Sequence, residues 1–386
     1  MKIVSIIINR KGIVIIMLNK IKSYWHKLKT EYEKRYNKPF LSDFETSKEY
    51  LERMKSYLLE KQEESPSDVD VVCTLASVEL ELRDDKFDYI EFLQDFLNKF
   101  ENSLSDNDKA RIYTNLAFGD DFSKDSLMYL NKAKDLNSPF VETYTGLGLY
   151  YFSEYEYSKD EKNLLVSCNY FKTAREMDES YVTSLNYAVS LFELKEYEKA
   201  KELFLCLLEI YPNRMRLLLC LAYCEVYLDN KDKAMSYVEK VKPGQDYNYN
   251  LNTDDISEDQ IIDVYYALKE YDIFLNLCGD CVEYYYIAEW EEYFCVLWLK
   301  NQKERFFSLE EKNRKYFEEA INEAIADEDY ESEKEKQETI ASWKEDKSNF
   351  EEMIFKIKSG DSRPEGKLKL YPEYSCFMVD CVRHKF

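Results

Sequence analysis

The 386-residue chain has few of the residues that interrupt helices, with only 8 Gly and 7 Pro. Glycine and proline supply the tight turns of β-barrels and β-sandwiches, so their scarcity argues against a turn-rich β fold. It suits long helices joined by short connections. Hydrophobic residues make up 45% of the chain and charged residues 33%. That balance is typical of a folded globular protein and not of a disordered one.

Histidine is nearly missing, since the chain contains only His26 and His384. A Ser/His/Asp or Cys/His catalytic set would need one of these two, and neither has a partner recognisable in the sequence. The sequence also lacks a Gly-rich phosphate-binding loop and an HExxH motif. We therefore predict that the protein is not an enzyme, that it has no catalytic residues and that it needs no cofactor.

A long uninterrupted apolar run is also lacking, because "MKIVSIIINRKGIVIIML" at the N-terminus is broken by polar residues 9–12. No run reaches the ~20 apolar residues that a membrane-spanning helix needs. Three interpretations of this segment stay open. It forms a strand–turn–strand hairpin around Arg10, Lys11 and Gly12, it is a weak membrane anchor, or translation starts at Met17.

Outside the N-terminus, acidic residues greatly outnumber basic ones. The formal net charge is −23, while residues 1–40 carry +8, which leaves −31 for the remainder. A field of that sign repels nucleic-acid phosphate and favours basic surfaces. We therefore expect a basic or amphipathic protein partner and no direct nucleic-acid binding.

Residues 1–45 form a basic N-terminal segment that contains an amphipathic helix. Its apolar residues recur every three or four positions, which is one face of a helix. They are Leu18, Ile21, Trp25, Leu28 and Tyr32. Two interpretations stay open: a capping helix whose apolar face packs on the rest of the chain, or a basic helix that lies on a membrane surface or an acidic partner.

The middle of the chain contains an internal repeat. "LKEYEKAKELF" at 194–204 parallels "LDNKDKAMSYV" at 228–238, and their alanines, Ala200 and Ala234, are 34 residues apart. Each segment lies between an apolar helix before it and a helix after it. A period of 34 with two helices per unit predicts a stack of helix pairs.

These residues resemble the tetratricopeptide repeat family. "ETYTGLGLYYF" at 142–152 contains the aromatic, Leu-Gly and Tyr positions of the family's first helix, and Tyr197, Phe204 and Pro212 fit its second helix. The resemblance implies an all-α fold, a right-handed α-solenoid of helix pairs over residues 46–300, which is clearest over 108–242.

The character of the sequence changes after residue 300. Residues 301–358 are dense in charge and contain two apolar stripes, which predicts two long helices in a charged helical hairpin. Residues 359–386 comprise a linker and a short apolar tail, and we expect this tail to pack back on the rest of the chain.

The resemblance implies a groove lined by the first helix of each unit, where a partner binds. The groove residues it implies are Thr145, Leu149, Phe152, Asn186, Val189, Phe192, Leu219, Tyr223 and Tyr227. Among them only Asn186 matches the Lys, Arg and Asn residues with which the family clamps a C-terminal carboxylate. The predicted groove is therefore apolar and aromatic and suits a basic or amphipathic segment. The other possibility is that the groove is filled by the chain itself.

Three functions follow from these patterns. We predict a cytoplasmic, protein-binding scaffold, because the chain has a repeat fold and its ten scattered cysteines suit a reducing compartment. An acidic immunity or inhibitor protein, acting as a nucleic-acid mimic against a basic effector, is the alternative. A second alternative is a zinc-binding protein. Its candidate ligands are Cys278, Cys281, Cys376, Cys381 and His384. For Cys278 and Cys281, we favour an ordinary turn between two solenoid helices, with Gly279 and Asp280 as breakers, over a zinc site.

Overall fold

The computed structural model describes residues 2–83, 87–119, 123–242, 256–281, 291–330, 332–366 and 368–386, with backbone alone for 2–16, 258, 280 and 281. Within these ranges the chain forms 17 α-helices, one short 3-10 helix and no strand, which confirms the predicted all-α class. The α-helices are α1 Lys2–Tyr36, α2 Phe44–Glu64, α3 Val69–Leu82, α4 Tyr89–Phe100, α5 Asp106–Phe118, α6 Lys124–Asp135, α7 Val141–Ser158, α8 Glu161–Met177, α9 Tyr181–Glu193, α10 Tyr197–Ile210, α11 Met215–Tyr227, α12 Lys231–Val238, α13 Glu258–Ala267, α14 Tyr271–Cys281, α15 Glu291–Leu299, α16 Lys303–Ala326 and α17 Glu333–Ser359.

Several helices, among them α2, α3, α4, α5, α6, α8, α9 and α17, begin at side chains that accept hydrogen bonds from the first-turn amides. Ser105 caps α5 in a reciprocal capping box, and Asp43 caps α2 by accepting from the Thr46 amide at 3.1 Å. A hydrogen bond from Lys38, together with those from Thr46, lowers the pKa of Asp43 to about 2. Such caps satisfy backbone donors that a helix leaves unpaired at its N-terminus. They explain how so few Gly and Pro residues suffice to delimit so many helices.

The helices group into two compact units. Unit 1 comprises Met1–Lys195 and Tyr371–Phe386, and unit 2 comprises Glu196–Leu370. The division falls inside the segment predicted as one solenoid, residues 46–300. The domain boundaries that we drew from the sequence stay predictions.

The N-terminal segment of unit 1 is helical, and the hairpin interpretation was wrong. Helix α1 continues through Arg10, Lys11 and Gly12 without a turn. Further along α1, Ile21, Trp25, Leu28 and Tyr32 are all buried in one cluster with α2 and α3. The apolar face thus packs on the chain itself, as the capping interpretation predicted. No helix in the described part of the chain has the length and apolar character to cross a membrane.

Consecutive helices of unit 1 pack against one another in the order of the chain, with α5 on α6, α6 on α7, α7 on α8 and α8 on α9. Close approach depends on small residues. A β-carbon built on Gly148 of α7 would lie 2.5 Å from the ring of Phe171 on α8, so only glycine fits there. Ala133 and Ala174, the matching repeat positions in this unit, are fully buried. The repeat pattern therefore reports packing between helices.

Unit 2 continues with helix pairs and ends in the predicted charged helical hairpin, in which α16 packs on α17. The repeat residues Ala200, Phe204 and Ala234 are fully buried. In the hairpin the rings of Phe317 and Phe350 lie 5.6 Å apart. The two apolar stripes predicted from the sequence thus face each other. Most charged residues of the hairpin are exposed, whereas Glu310 is buried.

Candidate peptide-binding groove

The chain's last segment, residues 371–386, lies along unit 1 and contacts its odd-numbered helices. Starting from Tyr371 this tail reaches α9, then α7 and α5, then α3, and at Phe386 it reaches α1. It therefore runs opposite to the order of the helices. We call the face that holds it the tail groove and define it by Ser77, Arg111, Asn115, Gly146 and Asn186. These are first-helix positions, where the resemblance placed a binding face.

Asn186 on α9 holds the main chain of the tail at two points. Its side-chain amide donates to the carbonyl oxygen of Glu373 at 3.1 Å, and its side-chain oxygen accepts from the Glu373 amide at 2.7 Å. The Asn186 side chain is fully buried. A buried carboxamide that pairs with both main-chain groups of one residue imitates a strand partner, so it recognises extended backbone irrespective of side chain.

A second buried asparagine repeats this contact further along the tail. The side-chain oxygen of Asn115 on α5 accepts from the Val379 amide at 2.8 Å, and its amide donates to Asp380 Oδ2 at 3.0 Å. On α3, Ser77 Oγ accepts from the Val382 amide at 2.9 Å. Three helices therefore contribute polar side chains that bind the tail's main chain.

Arg111 on α5 lies between two buried carboxylates. Its Nε donates to Asp380 Oδ2 at 2.8 Å with a second bond to Oδ1, and it donates to Asp70 Oδ1 of α3 at 2.6 Å. Burial acts to lower the pKa of Arg111, but the attraction of Asp380, Cys73 and Asp70 outweighs it and holds the pKa well above its usual range. Burial raises the pKa of Asp70, and Arg111 offsets part of that rise. The groove thus has a cationic position at its centre.

An aromatic position in the groove holds Phe377, three residues before Asp380 in the tail. The ring of Phe377 packs edge-on against Phe118 with centroids 5.4 Å apart. A β-carbon on Gly146 of α7 would come within 2.9 Å of the Phe377 ring. Phe377 is buried, with 4% of its surface exposed. The absence of a side chain at Gly146 therefore creates the space that the ring occupies.

The end of the tail is held by ion pairs and rings. Lys385 pairs with Glu142 of α7 at 2.7 Å, and Arg383 donates to Glu81 of α3 at 2.9 Å. The Phe386 ring packs edge-on to Trp25 of α1, with centroids 6.2 Å apart. These contacts tie the C-terminal residues to the N-terminal helix and complete a self-filled groove in unit 1.

The structure buries eight of the nine groove residues predicted from the sequence. Of the six in unit 1, Asn186 is the one with a described hydrogen bond to the tail. Along α7 the described tail contacts belong to Glu142 and Gly146, whereas Thr145, Leu149 and Phe152 are buried. The partner-binding role of these residues stays a prediction.

In unit 2 the segment before the tail contacts first helices of the helix pairs, as the tail does in unit 1. The Tyr227 hydroxyl lies 3.1 Å from the Leu368 amide and 3.2 Å from its carbonyl oxygen, and Tyr266 donates to the Pro364 carbonyl at 2.5 Å. Tyr223 donates to the Gln260 carbonyl of α13, and Leu219 is buried. Of the three groove residues predicted here, Tyr227 is the one that binds the linker through a described hydrogen bond.

Sequence reasoning missed Ser77, Arg111 and Asn115. Ser77 lies on α3, where the repeat signature is weak. Arg111 and Asn115 lie on α5, at the edge of the stretch where the signature is clear, so no groove positions were assigned on either helix. One signal was present: Arg111 and Asn115 are four residues apart on a helix whose neighbouring positions Ala110, Ile112 and Leu116 are apolar. Polar side chains that share a face inside an apolar helix indicate a buried polar contact.

The cysteine candidates fall into two groups. Helix α14 of unit 2 continues through Gly279 and Asp280 to Cys281, so the predicted turn between Cys278 and Cys281 was wrong. Cys278 is buried, and the side chain of Cys281 lies outside the described residues. In unit 1 the ligand atoms of Cys376, Cys381 and His384 all lie within 4.8 Å of one another. The structure therefore brings together the three tail candidates.

No protein-family model matches the sequence, and no curated protein is significantly similar to it. Solved structures that are similar to the chain are tetratricopeptide repeat proteins. Pseudomonas aeruginosa PilF has 19% identity and a TM-score of 0.41 over 58% of this chain and 92% of its own. Yeast Tom70 has 14% identity and a TM-score of 0.37 over 82% of this chain and 63% of its own. A tetratricopeptide repeat protein from Parabacteroides merdae has 17% identity and a TM-score of 0.37 over 68% of this chain and 94% of its own. Likeness at this level carries no information about what the chain binds.

Proposed function

We propose that the protein is a non-enzymatic scaffold that binds an extended segment of a partner protein in the tail groove of unit 1. The observation that supports this is the way the chain's own tail is held. Asn186 pairs with both main-chain groups of Glu373, and Asn115 accepts from the amide of Val379. Side chains that bind main chain do so irrespective of the side chains of the bound segment, so the groove has the chemistry of a peptide receptor.

Two further positions select among extended segments. Arg111 pairs with Asp70 on one side, and its other side, which binds Asp380 of the tail, favours a carboxylate in the bound segment. The space over Gly146 takes an aromatic ring, as Phe377 shows. Phe377 and Asp380 are three residues apart, so the pattern that the groove accepts is an aromatic residue, two further residues and an acidic one. We propose this pattern for the partner segment.

This preference differs from the basic partner expected from composition. Net charge averages over the whole chain, whereas the groove places Arg111 directly against the bound segment. A basic or amphipathic surface elsewhere on the partner remains compatible with the −31 charge outside residues 1–40. The acidic inhibitor alternative would act through such outer faces and would not need the groove.

The tail competes with any partner because it is tethered. A covalently linked segment has an effective concentration of the order of mM, so a free peptide of equal intrinsic affinity must reach similar concentrations to displace it. A partner therefore binds well only when its segment fits better than the tail, or when the tail is released.

A competition experiment with the full chain tests the proposal. The probe is a fluorescent peptide with the sequence of residues 371–386, and the tail is released by the double substitution Phe377→Ala and Asp380→Lys. We expect the released chain to bind the probe at least tenfold more tightly than the wild type, because its groove is vacant. Adding Asn186→Ala should weaken that binding at least tenfold.

The matched control is Asn107→Ala in the released chain, since Asn107 is an exposed asparagine on the same helix as Asn115. It should leave binding unchanged. A random peptide library selected on the released chain should be enriched in the aromatic-x-x-acidic pattern. Binding that survives Asn186→Ala but falls steeply with salt would support the charge-driven inhibitor and contradict the scaffold.

A further inference from the structure

The tail of unit 1 carries a compact cluster of metal-ligating side chains. The sulfurs of Cys376 and Cys381 and a ring nitrogen of His384 lie within 4.8 Å of one another, and Cys381 Sγ is 3.2 Å from His384 Nδ1. Cys381 is buried, Cys376 is half-buried and His384 is exposed. The cluster therefore lies at the boundary between the groove and solvent.

We propose that Cys376, Cys381 and His384 form a zinc site with an open fourth position. Zinc binds thiolate sulfur at about 2.3 Å and imidazole nitrogen at about 2.0–2.1 Å, so ligand atoms in a tetrahedral site lie roughly 3.5–3.8 Å apart. Cys381 Sγ and His384 Nδ1, which are 3.2 Å apart, would separate slightly, and the other pairs, which lie within 4.8 Å, would close by roughly 1 Å to reach that spacing. Two sulfurs and one nitrogen are a donor set that zinc prefers over magnesium or calcium.

The backbone holds two of the ligands in place without a metal. The amides of His384 and Lys385 donate to the Cys381 carbonyl at 3.2 and 2.8 Å, so Cys381 and His384 lie on one turn. Cys376 comes to the same place because the next residue, Phe377, is anchored over Gly146. A site that needs little rearrangement loses little binding free energy to ordering its ligands.

The positive charges nearby are already compensated. Arg383 and Lys385 flank His384, and a cationic surrounding would oppose a divalent ion. Arg383 pairs with Glu81, and Lys385 pairs with Glu142. The exposed His384 leaves the fourth position facing solvent, where water can complete a tetrahedral set.

Zinc at this site would fasten the tail. The ligands span residues 376–384, which include the anchors Phe377 and Asp380, so the metal favours the conformation of the tail that fills the groove. A ligand present at 100 times its dissociation constant favours the state that binds it by about 100-fold over the state that does not. We therefore expect saturating zinc to slow hydrogen exchange of the Val379 and Val382 amides by about 100-fold. This inference does not depend on the proposed partner segment.

Metal titration of the reduced, full-length chain tests the site. Equilibrium dialysis against zinc should give one equivalent that is lost on Cys376→Ser and on His384→Ala, and cobalt should give thiolate charge-transfer absorption that is lost with it. Because His384 is exposed, His384→Ala leaves the fold intact and keeps the test valid if a cysteine variant misfolds. The matched control Cys206→Ser changes an exposed cysteine on α10 and should bind normally.

Two results would overturn the site. One is a reduced wild-type chain that binds less than about a tenth of an equivalent of zinc under conditions where a three-ligand site would be saturated. The other is a His384→Ala and Cys376→Ser double variant that binds as much zinc as the wild type, which would assign the metal to other residues.

Discussion

Removal of the carboxylate of Asp380 should release the tail from unit 1. Asp380 is buried with 4% of its surface exposed, and it accepts two hydrogen bonds from Arg111 and one from Asn115. Breaking a buried ion pair by removing one partner costs about 3–5 kcal/mol, because the other charge is left uncompensated. Arg111 keeps Asp70 as a second partner, so we expect the free-energy cost of Asp380→Ala to lie at the lower end of this range, at about 3 kcal/mol.

Removal of the charge on Arg111, the partner of Asp380, should destabilise unit 1 more than removal of Asp380. Arg111→Met leaves Asp70 and Asp380 buried near each other with no cation between them, and Asp70 Oδ2 already has no hydrogen-bond partner among the described residues. We therefore place Arg111→Met at the upper end of the range, about 5 kcal/mol. The double variant Asp380→Ala, Arg111→Met removes both members of this ion pair. Its loss of stability should therefore be smaller than the sum of the losses in the two single variants.

Native-state hydrogen exchange of the tail amides measures directly how much free energy holds the tail in the groove. A loss of about 3 kcal/mol corresponds to exchange that is more than 100-fold faster at Val379 and Val382. Asp135→Ala, an exposed aspartate in the same unit, is the control and should leave these rates unchanged. The reasoning fails if Asp380→Ala accelerates exchange by less than tenfold, or if the two single variants add without coupling.

Three further predictions concern other parts of the fold. Gly148→Ala should lower the free energy of unfolding of unit 1 by about 1–3 kcal/mol in urea denaturation, because a methyl there would lie 2.5 Å from Phe171; unchanged stability would contradict the packing. Lys358→Met should destabilise the α16–α17 hairpin by about 1–3 kcal/mol, since the buried Glu310 loses two hydrogen bonds of 2.8 and 2.6 Å and keeps only its ion pair with Arg314 among the described contacts; thermal melting detects it, and Lys334→Met on exposed α17 surface is the control. The lowered pKa of Asp43, about 2, means that its stabilising effect is complete above the unfolded value of 3.8 and is lost as the pH falls from there towards 2; carboxyl NMR titration should show this midpoint, and Asp43→Asn should abolish that part of the acid sensitivity.

The all-α class and the helix pairs were accessible from the sequence because they depend on local spacing. Ala200 and Ala234 mark close helix contacts, and the structure buries both fully. The amphipathic face of α1 was also readable, since Ile21, Trp25 and Leu28 recur at helical spacing and are buried as expected. The predicted hairpin at residues 9–12 is wrong because the segments on both sides of Arg10, Lys11 and Gly12 continue one helix, which a short polar break does not end.

The contents of the groove were not accessible in the same way. The contact of Asn186 with Glu373 joins residues 187 positions apart, and that of Arg111 with Asp380 joins residues 269 apart. Such pairs leave no periodic trace in a single sequence. The tail was expected to pack back, but only the folded chain shows that its main chain is bound by Asn115 and Asn186 and that Arg111 sets the charge it accepts.

Because unit 1 is built from both Met1–Lys195 and Tyr371–Phe386, its assembly is interrupted by the synthesis of everything between them. A ribosome working at about 5–20 residues per second needs roughly ten seconds or more to make residues 196–370. During that interval the helices of unit 1 have emerged and the tail has not. The nascent chain therefore offers an empty groove to other molecules before its own C-terminal segment exists, and a segment bound at that stage would meet no tethered competitor.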